Sequence, residues 1–67
     1  MKLVKDGVEL EVGAILGIEG DFSVMLEEIK PEIHRIVLSY VSDHSVATRE
    51  CLPEAIGAQF VEEDEDA

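Results

Sequence analysis

The chain has 67 residues, 46% of them apolar, and its 16 Asp and Glu against 5 Lys and Arg give a net charge of −11. That length allows one domain, that apolar share excludes intrinsic disorder, and that charge excludes affinity carried by phosphates or anionic lipid. One cysteine, Cys51, excludes an intrachain disulfide and points to a reducing compartment, most simply a cytoplasm.

The first ten residues, MKLVKDGVEL, hold no apolar stretch of the kind a secretory signal needs. Residues 2 to 12 read as a β-hairpin that turns at Asp6-Gly7. Val8, Leu10 and Val12 alternate with Glu9 and Glu11. Two registers compete. A two-residue turn pairs Leu3 with Leu10 but sets Val4 against Glu9. A three-residue KDG turn pairs Val4 with Val8, and it is preferred because it matches apolar to apolar.

Beyond Gly13, AILGI reads as a further extended segment and EGD, residues 19 to 21, as a turn. Residues 22 to 41 support two readings. Phe22, Met25, Leu26 and Ile29 fit one helix face, as do Ile33, Ile36, Val37, Tyr40 and Val41. Yet FSVML alternates, and IHRIVLSYV is rich in β-branched and aromatic residues, which favour strands. Leu38 falls off the helical stripe, and Pro31 breaks any single long helix. SDHS, 42 to 45, is a turn, and VATREC behind it a returning strand. LPEAIGAQF predicts a short helical turn after Pro53 that ends at Gly57.

The expected fold is therefore mostly β: a five- or six-stranded antiparallel barrel-like sheet of the SH3 or Sm kind with a short C-terminal helical turn. An α+β arrangement, a hairpin or meander plus two short helices, is the alternative. Residues 1–61 form the domain, and residues 62–67 an acidic, disordered tail.

Residues 5 to 26, KDGVELEVGAILGIEGDFSVML, loosely resemble the first signature of the Sm-like RNA-binding family. The resemblance rests on the DG turn, Gly13, the Ile18-Glu19 pair and Leu26. It implies a small barrel. It does not imply RNA binding: Ser23 stands where the family carries its RNA-contacting Asn, the DG-to-Gly spacing is one residue longer, and no second signature follows.

No catalytic signature is present, so a non-enzymatic role is expected. His34, His44, Asp43 and Cys51 match no zinc spacing, so neither metal nor other cofactor is expected. Cys51 reads as a small buried hydrophobe rather than a nucleophile. The acids carry the functional reading. Residues 1–61 alone hold 11 acids against 5 bases, a net −6. Glu9 and Glu11 on one strand face lie about 7 Å apart, near the spacing of successive DNA phosphates. With Glu62, Glu63, Asp64, Glu65 and Asp66 they are the candidate partner-binding residues, and a basic protein surface is the candidate partner. The expected work is inhibition or regulation of such a protein, nucleic-acid-handling proteins among them, by charge complementarity, with DNA mimicry as one form. Direct contact with nucleic acid or membrane is not expected. The alternative is a structural subunit of an assembly, acidic only for solubility. Phe22, Met25, Leu26, Ile29, Ile36, Leu38, Tyr40 and Phe60 form the expected core, and the surplus apolar surface predicts a homodimer or larger, with IVLSYV as the seam, either as an edge strand or as a helix face.

Overall fold

A computed structural model describes residues 1–62 of the chain. Strand β1, Lys2–Lys5, runs into β2, Val8–Leu10, through Asp6 and Gly7. Both turn residues have left-handed backbone, φ 54° and 81°, as a two-residue type I′ loop requires. The register is Leu3 with Leu10, Val4 with Glu9, and Lys5 with Val8. This corrects the preferred KDG turn. The decisive residue is Leu3, which is 1% exposed. The KDG register would set Leu3 against Glu9; the observed one sets it against Leu10 and leaves Val8 in solvent.

The ambiguous stretch is a strand hairpin. Strand β3 is Ile15–Glu19, β4 is Phe22–Lys30 and β5 is Arg35–Val41. A 3-10 turn, Pro31–Ile33, joins β4 to β5, with Pro31 at its start and left-handed His34 at its end. No α-helix occurs among the described residues. The helical spacing of Leu26 and Ile29 has a different cause. The β4–β5 register shifts between Leu26 and Glu28, so Glu27 is an extra residue. That bulge resets the alternation and turns both Leu26 and Ile29 towards the same face, opposite Leu38 and Ile36. Leu38, which a helix would expose, is 4% exposed.

Strand β6, Val46–Cys51, returns along β5. A second 3-10 turn, Pro53–Ile56, ends at left-handed Gly57 and leads to β7, Ala58–Val61, which pairs with β1. The seven strands form two antiparallel sheets, β2-β1-β7 and β3-β4-β5-β6. Two expectations change here. Among the described residues there are seven strands rather than five or six, and no strand ladder joins the sheets into a closed barrel. The corners explain the break. Residues 11–14 turn without a strand ladder, although the Gly13 and Leu26 amides donate to the carbonyls of Leu26 and Ala14 at 2.8 and 2.9 Å. At the other corner Pro53 has no N–H to give a ladder. The expected seam, IVLSYV, is also corrected: β5 is a central strand, paired on both sides.

Leu3, Val24, Leu26, Ile36, Leu38 and Ala58 form the buried core between the sheets. Ile29, Tyr40 and Phe60 pack around it half-buried. Met25 does not belong to it, because its register places it opposite Ser39 on the outer face. Residues 63–67 lie outside the described residues.

So small a core concentrates stability in few side chains. Leu26→Ala should cost about 2–5 kcal/mol, a large share of what a domain this size holds. Urea unfolding followed by circular dichroism should show the midpoint collapse, while Met25→Ala on the outer face should cost far less.

Candidate interaction surfaces

Alternation along the four-stranded sheet sorts its side chains onto two faces. The inner face meets the core. The outer face has no second layer over it among the described residues. One cross-strand row runs Ile18, Ser23, Val41, Val46, and the next runs Ile15, Met25, Ser39, Thr48. Ile15, Ile18 and Val46 are 64%, 75% and 65% exposed. Three strand spacings make this face about 14 Å wide. Carboxylates bound it: Asp21 and Asp43 in turns at one end, Glu27, Glu28 and Glu50 at the other. Lys30 sits beside Glu50 at 3.8 Å. Arg35, opposite Lys30, donates instead to the carbonyls of Ile33 and His34 at 3.4 and 3.1 Å.

The inner face is only partly covered. The three-stranded sheet reaches across Ile36 and Leu38 but not across the far end of β5 and β6. A cleft of about 440 Å³ results, with Leu16, Val24, Leu38 and Ile56 on its apolar wall and Lys5 and Arg49 among its polar groups. A second hollow of about 420 Å³ continues it past Tyr40 and Arg49 to Phe22 and Ala47. Lys5 follows Leu3 in phase and pairs with buried Ala58, so it occupies an inward strand position. Arg49 pairs with Leu38, also inward. Its guanidinium makes no ion pair among the described residues. Sequence reading missed this site. Its signal was a cation in phase with Leu3 on β1 and another in phase with Cys51 on β6.

Among the described residues, the acids singled out from sequence are not brought together. Glu9 lies on β2, an edge of the three-stranded sheet, while Glu11 lies past the end of that strand, in the turn to β3. The expected pair on one strand face is thus corrected, because β2 stops at Leu10. Glu62 follows the other edge strand and is exposed. Glu63, Asp64, Glu65 and Asp66 lie outside the described residues.

His34 and His44 sit beyond opposite ends of β5, and among the described residues no group of three His, Cys, Asp or Glu side chains gathers as a metal site. His34 instead meets Glu54, with Nε2 and Oε2 at 3.0 Å, and touches the Phe60 ring edge-on. The hydrogen bond from His34, then that from Glu54's own backbone, hold the Glu54 carboxyl below its ordinary range. A depressed carboxylate pKa adds stability above that range and loses it as pH falls through the lowered value; full exposure keeps this contribution small.

Burial pushes the Cys51 thiol up, and Arg49 partly offsets it. No helix among the described residues is long and apolar enough to cross a membrane. Comparison with protein-family models, with curated proteins and with solved structures returns no match.

The thiol gives a direct probe of the cleft. Cys51 should alkylate with iodoacetamide more slowly at neutral pH than a free thiol, because less of it is thiolate. Arg49→Gln removes the offsetting cation and should slow it further. A rate–pH profile matching glutathione in both proteins would contradict this placement.

Proposed function

We propose that the chain is a non-enzymatic, acidic protein-binding module that engages a basic-rimmed protein through the outer face of its four-stranded sheet. The observation that carries this reading is the uncovered row of Ile15, Ile18 and Val46, more than half exposed and bounded by carboxylates. An apolar centre with a charged rim is the anatomy of a protein interface. The centre excludes water and supplies the lifetime of the complex. The rim speeds encounter and selects a partner of opposite charge. With the net charge at −11, that partner is basic. Occupying such a protein would inhibit or regulate it.

Glu9, Glu11, Glu62, Glu63, Asp64, Glu65 and Asp66 enter this reading as long-range attraction rather than as the contact surface. Imitation of DNA phosphates has less support, since Glu9 and Glu11 share no strand face. The finer fold reading belongs here too. Two sheets curled by bulges at Leu16 and Glu27 support an open relative of a small SH3- or Sm-like barrel, with Pro53–Ile56 as its C-terminal helical turn. One cysteine in the chain supports a reducing setting such as a cytoplasm.

The same apolar face supports the homodimer or larger assembly as a second reading. Two like-charged rims repel, so self-association should rise with salt as repulsion is screened, whereas a complex with a basic partner should weaken. The decisive variant is Ile18→Asp, Val46→Asp, both at exposed positions that leave the core intact. Pull-down from host lysate should yield a basic protein with the parent chain, at least tenfold less with this variant, and an unchanged amount with the control Val8→Asp. Identical capture by all three chains would refute the assignment. Light scattering of the parent that shows a salt-strengthened dimer, lost in the double variant, would instead favour the assembly.

A further inference from the structure

We infer that the groove on the inner face of the four-stranded sheet binds a small amphipathic anion: an acyl or other apolar body with one carboxylate or phosphate head, held by Arg49 and Lys5. The groove lies on the face opposite the proposed protein-binding surface; only Ile18 and Thr48, at the sheet's margins, border both, and the residues that carry the inference, Lys5 and Arg49, belong to the groove alone.

Three observations carry it. First, the space is of ligand size. A cleft of about 440 Å³ runs into a hollow of about 420 Å³, and both are lined by Tyr40, Arg49 and Glu19. Ligand pockets fall in this range and combine an apolar lining with a few convergent polar groups. The two hollows continue one another along the sheet, which suits an elongated body rather than a round one.

Second, cations are concentrated there. The chain has only 5 Lys and Arg. Two of them, from strands in different sheets, line this one cleft. Both stand at inward positions, in phase with Leu3 and Cys51, where strands ordinarily place apolar residues. Lysine at such a place can merely lay its stem over apolar surface. That explanation covers Lys5, whose ammonium is 3.6 Å from the Asp6 carboxylate. It does not cover Arg49, which has no carboxylate partner among the described residues. A guanidinium presents a planar fork that fits a carboxylate or phosphate with two parallel hydrogen bonds.

Third, the walls make the head's position specific. Leu16, Val24 and Ile56 form the apolar side near Lys5, while Phe22 and Ala47 line the far end. Glu19 lines both hollows and stands directly opposite Phe22 across the β3–β4 pair. It repels an anionic head that strays towards Phe22 and favours the Lys5 end. The head therefore sits between Lys5 and Arg49, and the body runs past Tyr40 towards Phe22.

The test uses the full chain and three eight-carbon probes: octanoate, octyl phosphate and 1-octanol. Backbone amide spectra should show saturable shifts confined to the groove, residues 5, 16–19, 22, 24, 38, 40, 47–51, 55 and 56, with Kd on the order of 1 mM for the anions. The comparison of octanoate with octyl phosphate tells which head the fork prefers. The neutral alcohol should bind about tenfold more weakly, because it forfeits the charge-assisted hydrogen bonds. Arg49→Gln should weaken both anions about tenfold and leave the alcohol unchanged. Lys5→Met keeps the apolar stem and removes the charge, so any loss it causes is electrostatic. A second outer-face variant, Ile15→Asp, Val46→Asp, whose residues line neither hollow, should bind the anions as the parent does, which keeps this result separate from the protein-binding proposal. No saturable shift up to about 10 mM would overturn the inference. So would equal binding of anion and alcohol, or unchanged anion affinity in Arg49→Gln.

Discussion

One extra residue in β4 governs this molecule. Strand alternation has a period of two, so Leu26 and Ile29, three residues apart, would point to opposite faces without the bulge at Glu27. With it, both turn inward and meet Leu38 and Ile36. A nine-residue strand can then serve the core along its whole length while bending. The shift at Leu16 in β3 acts likewise, turning Leu16 towards the core. These two bulges curl the four-stranded sheet around its inner face. They also fix what remains outside.

What remains outside follows from size. A short chain cannot cover both faces of every strand. The three-stranded sheet covers the inner face at Leu26, Ile36 and Leu38, where the six buried apolar residues gather. Beyond Tyr40 its coverage ends, and β6 is exposed at every residue before Cys51. The same four strands thus present an uncovered apolar face on one side and a partly filled groove on the other. Surface of this kind costs solubility. The excess of carboxylate offsets that cost, and the offset is consistent with a chain that meets its partners through the sheet.

The fold class was legible in local chemistry. The Asp6-Gly7 turn, the alternation of FSVML and the β-branched content of IHRIVLSYV each point to strands: the turn joins β1 to β2, FSVML lies in β4, and all of IHRIVLSYV after His34 is β5. Misleading signals came from phase. Leu26 and Ile29, three residues apart, imitate a helix because a bulge is silent in sequence. In the hairpin, the local match of Val4 with Val8 points to the wrong register, because the long-range burial of Leu3 outweighs it. Strand order was illegible for the same reason: whether β5 lies at a centre or an edge depends on partners far away in the chain. The candidate surfaces were read by charge, which is visible in composition. Which side of a sheet a charge occupies is not. Lys5 and Arg49 therefore went unremarked, although both stand in phase with core residues.

Charge acts on the two surfaces in opposite ways. At physiological ionic strength a charge is felt over about 8 Å. The carboxylates around the outer face lie at its border and act on an approaching partner through solvent, so salt weakens that contribution first. An anion in the groove feels two fields. The net −11 of the chain repels it at long range, while Arg49 and Lys5 attract it at contact, beside the apolar wall of the cleft. Salt removes the long-range repulsion more readily than the short-range attraction. Anion binding in the groove should therefore change little as ionic strength rises, while attachment of a basic protein to the outer face falls away. A single strand pair makes the division: Tyr40 and Ala47 look into the groove, and the neighbouring pair Val41 and Val46 looks out. Each face can thus be altered by a substitution one residue from a position that serves the other.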